Sequence, residues 1–350
     1  MVLDEHAQQI LEEYRTNLPM FEKEKERIES QVRDTLAQAG IVVAAVESRV
    51  KSERSLAGKL ELKGHKYASL ADITDILGVR IITFYVDDVD KVASAVERLY
   101  DVDWENSVDK RKLHEIDSFG YLSLHYVCRL EGTPYRFEVQ MRTILQHAWA
   151  NMNHDTGYKS GVEVPKEYLR NLNRLAGMLE LVDEQFSLIR SELTDYRRKV
   201  QALVASGNLD EVPLDGDSFQ NFLKLKPFAQ LNHRIASVNQ AEIHEETLMP
   251  FLAIFKTIGC KTLGNVETII RDYSEGAYQI ACYQMGLTDL DIISSTLGPQ
   301  DLCMAYILKK GGGKAGIRML LDELYGASNG NELMAEMLVG QAGNLPFMNL

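Results

Sequence analysis

Residues 134–143 read PYRFEVQMRT, and the alternation of polar and apolar side chains in this run decides the fold. A period of two is that of a β-strand, so Arg136, Glu138, Gln140 and Arg142 share one face and Phe137, Val139 and Met141 the other. Upstream, YLSLHYVCRL (121–130) alternates in the same way, and the intervening EGTP carries the Gly and Pro of a hairpin turn. GVRIITFYV (78–86), bounded by Gly78 and Asp87-Asp88, is a further strand, and IVVAAVESRV (41–50) another. A sheet of four to five strands is therefore expected.

Helical periodicity surrounds these strands. Ile10, Leu11, Tyr14, Leu18, Phe21, Ile28, Val32 and Leu36 recur at helical spacing over 4–38, with Gly40 as the stop. Shorter helices are expected at 55–63, 70–77 and 88–100, and longer ones at 144–153 and 166–203. The fold class is α+β, a mixed sheet flanked by helices, with a catalytic core at 41–160 inside a domain of residues 1–205. ASGNLDEVPLDGD reads as a linker over 206–217. Beyond it, at 218–350, helical patterns at 218–232, 243–257, 264–284, 300–310 and 314–326 predict an all-α domain without strands. Tyr273, Tyr278 and Tyr283 fall on one helical stripe there, which suits a core better than a binding ladder.

Composition narrows the function classes. The net charge is −13. Residues 1–200 carry 28 Lys+Arg against 34 Asp+Glu, and residues 201–350 carry 10 against 17, so neither part is basic. A protein that binds by neutralising a nucleic-acid backbone needs a large basic surface. Basic residues must act locally here, as in a nucleotide pocket. No run approaches the roughly 20 apolar residues that span a bilayer, and the acidic amphipathic start is no signal peptide. Cys128, Cys260, Cys282 and Cys303 lack metal-ligand spacing and read as reduced, packed thiols, which makes a cytoplasmic protein the expectation.

Two readings of the polar strand face stay open from pattern alone. Arg136, Glu138, Gln140 and Arg142 form either a solvated surface or a cleft in which carboxylates hold a metal and arginines hold phosphates. Asp75, just before the second strand, and Arg80 within it add to the second reading. So do Arg49, Lys51, Arg54, Lys59 and Lys63, crowded together in an acidic chain. Tyr121 sits at a strand mouth, where an aromatic ring can stack on a base or pack inward.

These motifs occur in a telling order: R-x-K-S (Arg49, Lys51, Ser52), Lys59-Leu60, DILGVR (Asp75 to Arg80), GYLSLH (Gly120 to His125), EVQMRT (Glu138 to Thr143) and HAWA with a later His-Asp and Tyr-Lys (His147 to Lys159). Together they resemble the synthetase domain of the RelA/SpoT alarmone enzymes, over roughly residues 20–200. The resemblance implies a nucleotidyltransferase-like fold that moves the β,γ-pyrophosphate of ATP to the 3′-hydroxyl of GDP or GTP, making (p)ppGpp. It also implies a cofactor, Mg²⁺, on the acidic pair Asp75 and Glu138, with Glu138 ligating the metal or helping to deprotonate the hydroxyl. Arg49, Lys51, Ser52 and Lys59 match residues that grip the ATP phosphates, and Arg80 one that frames the adenine. Tyr121 matches the tyrosine that stacks on guanine. His125, Gln140 and Arg142 would line the acceptor side with Lys110, and His147 and His154 would support the site.

Two stretches depart from the family pattern. ENSVDKRKLHEIDSFGY (105–121) replaces a basic K-D-Y-I…P-K stretch, and Asn151 and Asn153 stand where glutamate is usual. Residues 1–48 precede the first motif, too few for the metal-dependent hydrolase half of the bifunctional relatives. The expected partners are ATP and GDP or GTP, with no membrane and a homo-oligomer left open. The C-terminal part is a candidate for oligomerisation, regulation or fused inhibition. Competing functions are a toxin that pyrophosphorylates the tRNA 3′ end and a catalytically weak nucleotide sensor.

Overall fold

The computed structural model describes residues 4–111, 123–153, 166–287 and 290–349, without the side chains of 166, 167 and 169. Its internal contacts divide the chain into two units, 1–191 and 192–350. In the first unit, α1 (Glu5–Gln38), β1 (Ala45–Val50), α2 (Glu53–Lys63), β2 (Leu77–Thr83), α3 (Val86–Leu99), β3 (Val108–Asp109), β4 (Leu124–Arg129), β5 (Arg136–Thr143) and α4 (Ile144–Asn153) follow in order. α5 (Lys166–Ala205) contributes its first part to this unit and its remainder to the second.

The sheet has five strands in the order β1-β2-β5-β4-β3. Only β2 and β5 pair in parallel; the other neighbours are antiparallel. Val79, Ile81, Phe137, Val139, Met141 and Cys128 bury one face against α1 and α3. α1 forms because Asp4 caps its first turn, accepting from Ala7 N–H at 2.7 Å, and because Ile10, Tyr14, Phe21, Ile28, Val32 and Leu36 recur on its buried side. Gly40, at φ +65°, turns the chain from α1 towards β1. The first-unit part of α5 is tied to the end of the central strand β5 by Thr143 donating to Asp183, and to α3 by Arg190 pairing with Asp88 while lying 4.3 Å from the Tyr85 ring.

Several expected boundaries move. The sequence 70–77 forms only a 3₁₀ turn at Leu70–Asp72, and Leu77 already belongs to β2. The first strand starts at Ala45 instead of residue 41. The expected linker is structured: Leu209, Val212 and Leu214 are buried in the second core, and the division between units falls within α5. The apolar residues among its Gly, Asp and Pro are what the linker reading overlooked.

The second unit comprises the end of α5, then α6 (Gly216–Leu223), α7 (Ala229–Ala236), β6 (Glu242–His244), α8 (Phe251–Thr257), α9 (Leu263–Met285), β7 (Ile292–Ser294), α10 (Leu297–Lys309), α11 (Gly313–Tyr325), α12 (Asn329–Ala342) and α13 (Pro346–Asn349). Among the described residues its strands are one short parallel pair, β6 with β7, which the sequence reading did not anticipate and which replaces the start of the helix expected at 243. Three-residue strands are too short to show a period. α10 runs through the core, and its start is seated by Asn232, whose amide donates to Ser295 O and accepts from Gly298 N–H. A Cβ on Gly298 would lie 2.2 Å from that amide oxygen, so only glycine fits. Tyr273 and Tyr278 pack against this core, while Tyr283 is 40% exposed. Cys128, Cys260 and Cys303 are buried thiols, as expected. Among the described residues no helix is long and apolar enough to cross a membrane.

Asp301 lies wholly inside this core on α10, and burial holds its carboxyl well above the ordinary aspartate range, with Gln284 its polar neighbour. A raised folded value means the stability is full below about pH 4, where folded and unfolded chains are both protonated, and is lost as pH rises towards the folded value. Asp301→Asn imitates the neutral acid. We expect it to stabilise the second unit at pH 8 by about 1 kcal/mol and to change little at pH 4, measured by thermal unfolding at both.

Candidate functional site

Strand register builds one polar face. Arg49 pairs with Gly78, Gly78 with Glu138, and Glu138 with Val127; in the next row Glu47, Arg80, Gln140 and His125 lie side by side. Directly paired residues point to the same side of a sheet, so these side chains share the face turned away from α1 and α3. Gly78 leaves the middle of its row without a side chain, and the Arg49 side chain lies 3.7 Å from where its Cβ would be. Ile82 pairs with Arg142 one row further on, where Arg142 is only 3% exposed. Lys110 follows β3 and donates its N–H to Ser123 O.

Asp75 stands just before β2. The turn leading to it is fixed by Asp72, which accepts from the N–H groups of Ala68 and Ser69 at 2.7 and 3.0 Å. The Asp75 carboxylate receives Lys51 Nζ on Oδ2 at 2.8 Å and Lys59 Nζ on Oδ1 at 2.7 Å. Burial alone would raise its proton affinity, but the two ammonium groups outweigh burial and hold it below the usual aspartate range. Glu138 is arranged alike. His125 Nδ1 lies 2.8 Å from Oε1, and Gln140 Nε2 donates to Oε2 at 2.8 Å. Burial raises the Glu138 carboxyl, Asp75 nearby raises it further, and the His125 and Gln140 contacts reverse the balance to a net lowering. Both carboxylates thus stay ionised at neutral pH, and the stability they contribute is lost only as pH falls below about 4.

The remaining expected residues divide. Ser52 caps α2, accepting from Ser55 N–H at 3.3 Å. Lys59 also lies over the Tyr67 ring at 5.3 Å. Arg80 reaches towards Glu47 across β1 at 3.9 Å. Arg136, on the same polar face in sequence, is engaged by Asp103 at 2.9 Å and by Ala71 O. His147 takes part in a 2.9 Å contact with the Asn151 amide, and burial followed by nearby Arg142 lowers its pKa. Tyr121 and His154 lie outside the described residues.

The two ionised carboxylates, close enough to feel each other's charge, offer oxygen donors of the kind a hard divalent cation takes. The cationic side chains beside them suit a polyphosphate.

Sequence reading missed the residues of α1 that hold this face. Tyr14, 2% exposed, donates its hydroxyl to Lys51 O at 2.6 Å; Arg15 pairs with Glu53; Glu29 accepts from Ser48; and Arg33 donates to Val46 O at 2.5 Å. Nothing in local spacing links Tyr14 to Lys51, since only packing of α1 on β1 brings them together. Removing the hydroxyl leaves a buried carbonyl without its donor. We expect Tyr14→Phe to cost about 1–2 kcal/mol in urea unfolding of the first unit.

Comparison with known proteins places the chain in a family. Residues 48–163 match the family model described as a region found in RelA / SpoT proteins. GTP pyrophosphokinase YwaC of Bacillus subtilis is 30% identical over 156 residues, 42% of this chain and 73% of the relative. GTP pyrophosphokinase YjbM of the same organism is 27% identical over 154 residues, 43% of this chain and 73% of the relative. The solved small alarmone synthetase 1 from B. subtilis is 25% identical with a TM-score of 0.45, covering 53% of this chain and 98% of that one. With the family model and relatives of this identity and coverage, the chain belongs to the RelA/SpoT family.

Proposed function

We propose that the first unit is a pyrophosphokinase that transfers the β,γ-pyrophosphate of ATP to the 3′-hydroxyl of GDP or GTP, making (p)ppGpp. The observation that carries this reading is the placement of Asp75 and Glu138 as ionised neighbours ringed by Lys51, Lys59, Arg49 and Arg80, in a chain of this family. The similar proteins named GTP pyrophosphokinase support the reaction class.

In the transfer, the 3′-hydroxyl gives up its proton to solvent as its oxygen bonds to the β-phosphorus, the bond from that phosphorus to the α,β-bridging oxygen breaks, and AMP leaves. Such chemistry asks a protein for in-line placement and charge cancellation more than for covalent help. Asp75 and Glu138 would hold Mg²⁺, which when bound neutralises phosphate charge. Lys51, Lys59 and Arg49 grip the triphosphate, Ser52 shapes the start of α2 beside it, and Arg80 frames the adenine. Glu138, locked by His125 and Gln140, has a depressed proton affinity. That suits it to carry a cation's charge and orient the hydroxyl, and makes it a weak base. His125, Gln140, Arg142 and Lys110 border the acceptor side, where Tyr121 stacks on the guanine, and His147 supports the site.

Incubation with γ-³²P-ATP and GDP, GTP or bulk tRNA tests the reading. Label on GDP or GTP is the expected result, label on tRNA alone would reassign the acceptor, and no label on any of them would overturn the proposal. Asp75→Asn and Glu138→Gln should each lower transfer by about 10³-fold, about 4 kcal/mol of transition-state stabilisation. Retention of a tenth of the activity by both variants would remove these residues from the reaction.

A further inference from the structure

We propose that Lys51 and Lys59 act as a counterion gate on Asp75, excluding a free divalent cation until a polyphosphate draws the two ammonium groups away. This inference rests on the reading of Asp75 as a cation ligand. Each oxygen of Asp75 faces one ammonium, at 2.7 and 2.8 Å, and all three side chains are largely enclosed. A carboxylate oxygen has spare lone pairs, so the barrier to a cation is electrostatic. The Lys51-Asp75-Lys59 triad already carries one net positive charge, and a divalent ion entering alone would raise it to three in a partly dehydrated pocket.

The backbone is held while the lysine side chains can yield. The Lys51 main chain is pinned on both sides: its N–H donates to Ile76 O at 2.7 Å, and its carbonyl accepts from Tyr14 at 2.6 Å. Lys59 springs from α2, whose Leu56 and Leu60 are buried. A lysine on a flexible four-carbon stem can exchange a carboxylate for a phosphate oxygen without moving either element. A triphosphate supplies the charge that both lysines need, and its arrival opens Asp75 to the cation. Cation and nucleotide affinity at this site are then reciprocally coupled through the lysines, beyond any direct contact between the two ligands.

The test uses Mn²⁺ alone, without nucleotide, titrated into the full chain and followed by electron paramagnetic resonance. The wild type binds weakly. Lys51→Met and Lys59→Met should each tighten Mn²⁺ binding about tenfold, the size of an ordinary coupling. Adding Asp75→Asn to Lys59→Met should abolish the gain. Circular dichroism confirms folding, and Lys59→Gln replaces any methionine variant that fails to fold. Lysines that serve phosphate only would leave Mn²⁺ affinity unchanged. Unchanged or weaker binding in the lysine variants, or a gain that survives Asp75→Asn, overturns the gate. The assay does not read transfer: failure of the gate leaves an active pyrophosphokinase standing, and absence of transfer leaves the Mn²⁺ result standing.

Discussion

The parallel pairing of β2 with β5 is the constraint on which the polar face depends. These strands are distant in sequence, and their register, Gly78 opposite Glu138, sets Glu138 one strand spacing from the chain that has just left Asp75. A slip of one residue would turn Glu138, Gln140 and Arg142 into the core and push Phe137, Val139 and Met141 outward. Those three apolar side chains have no measurable exposure, so their burial is what holds the register. The hydrophobic back of the sheet therefore determines the chemistry of its front.

Charge arrangement on that front follows from the same pairing. Two carboxylates brought together in a partly buried cleft would repel, and each would tend to bind a proton. Lys51 and Lys59 at Asp75, and His125 and Gln140 at Glu138, reverse that tendency and keep both acids ionised. An acidic chain can carry a polyphosphate site for this reason: the field is set by a handful of cations within hydrogen-bond reach, and distant surface charge is screened. Salt at physiological strength would leave these enclosed pairs almost intact.

α1 joins the two faces. Its apolar side completes the core through Phe21 and Ile28, while Glu29 and Arg33 hold Ser48 and Val46 of the edge strand β1 and Tyr14 and Arg15 hold Lys51 and Glu53 just beyond it. An edge strand with a free side is prone to shift. Here it carries Arg49 and leads into Lys51, so the helix that covers it also fixes the basic arm of the site.

The sequence by itself determined the alternation of β4 and β5, the long amphipathic α1, the α+β class of the first unit and the helical class of the second. These are local periodicities, written into neighbouring residues. It also supplied the candidate residues, because Arg80 and Glu138 break the apolar pattern of the strands that carry them and Asp75 stands just before one of those strands. Which of those residues stand together depended on which strands paired, and only the tertiary structure decided that. The same holds for Tyr14 on Lys51, for Asp183 beneath Thr143, for the β6–β7 pair and for the buried residues of the expected linker. Each joins positions far apart in the chain, and no local spacing records a contact whose partner is chosen by packing.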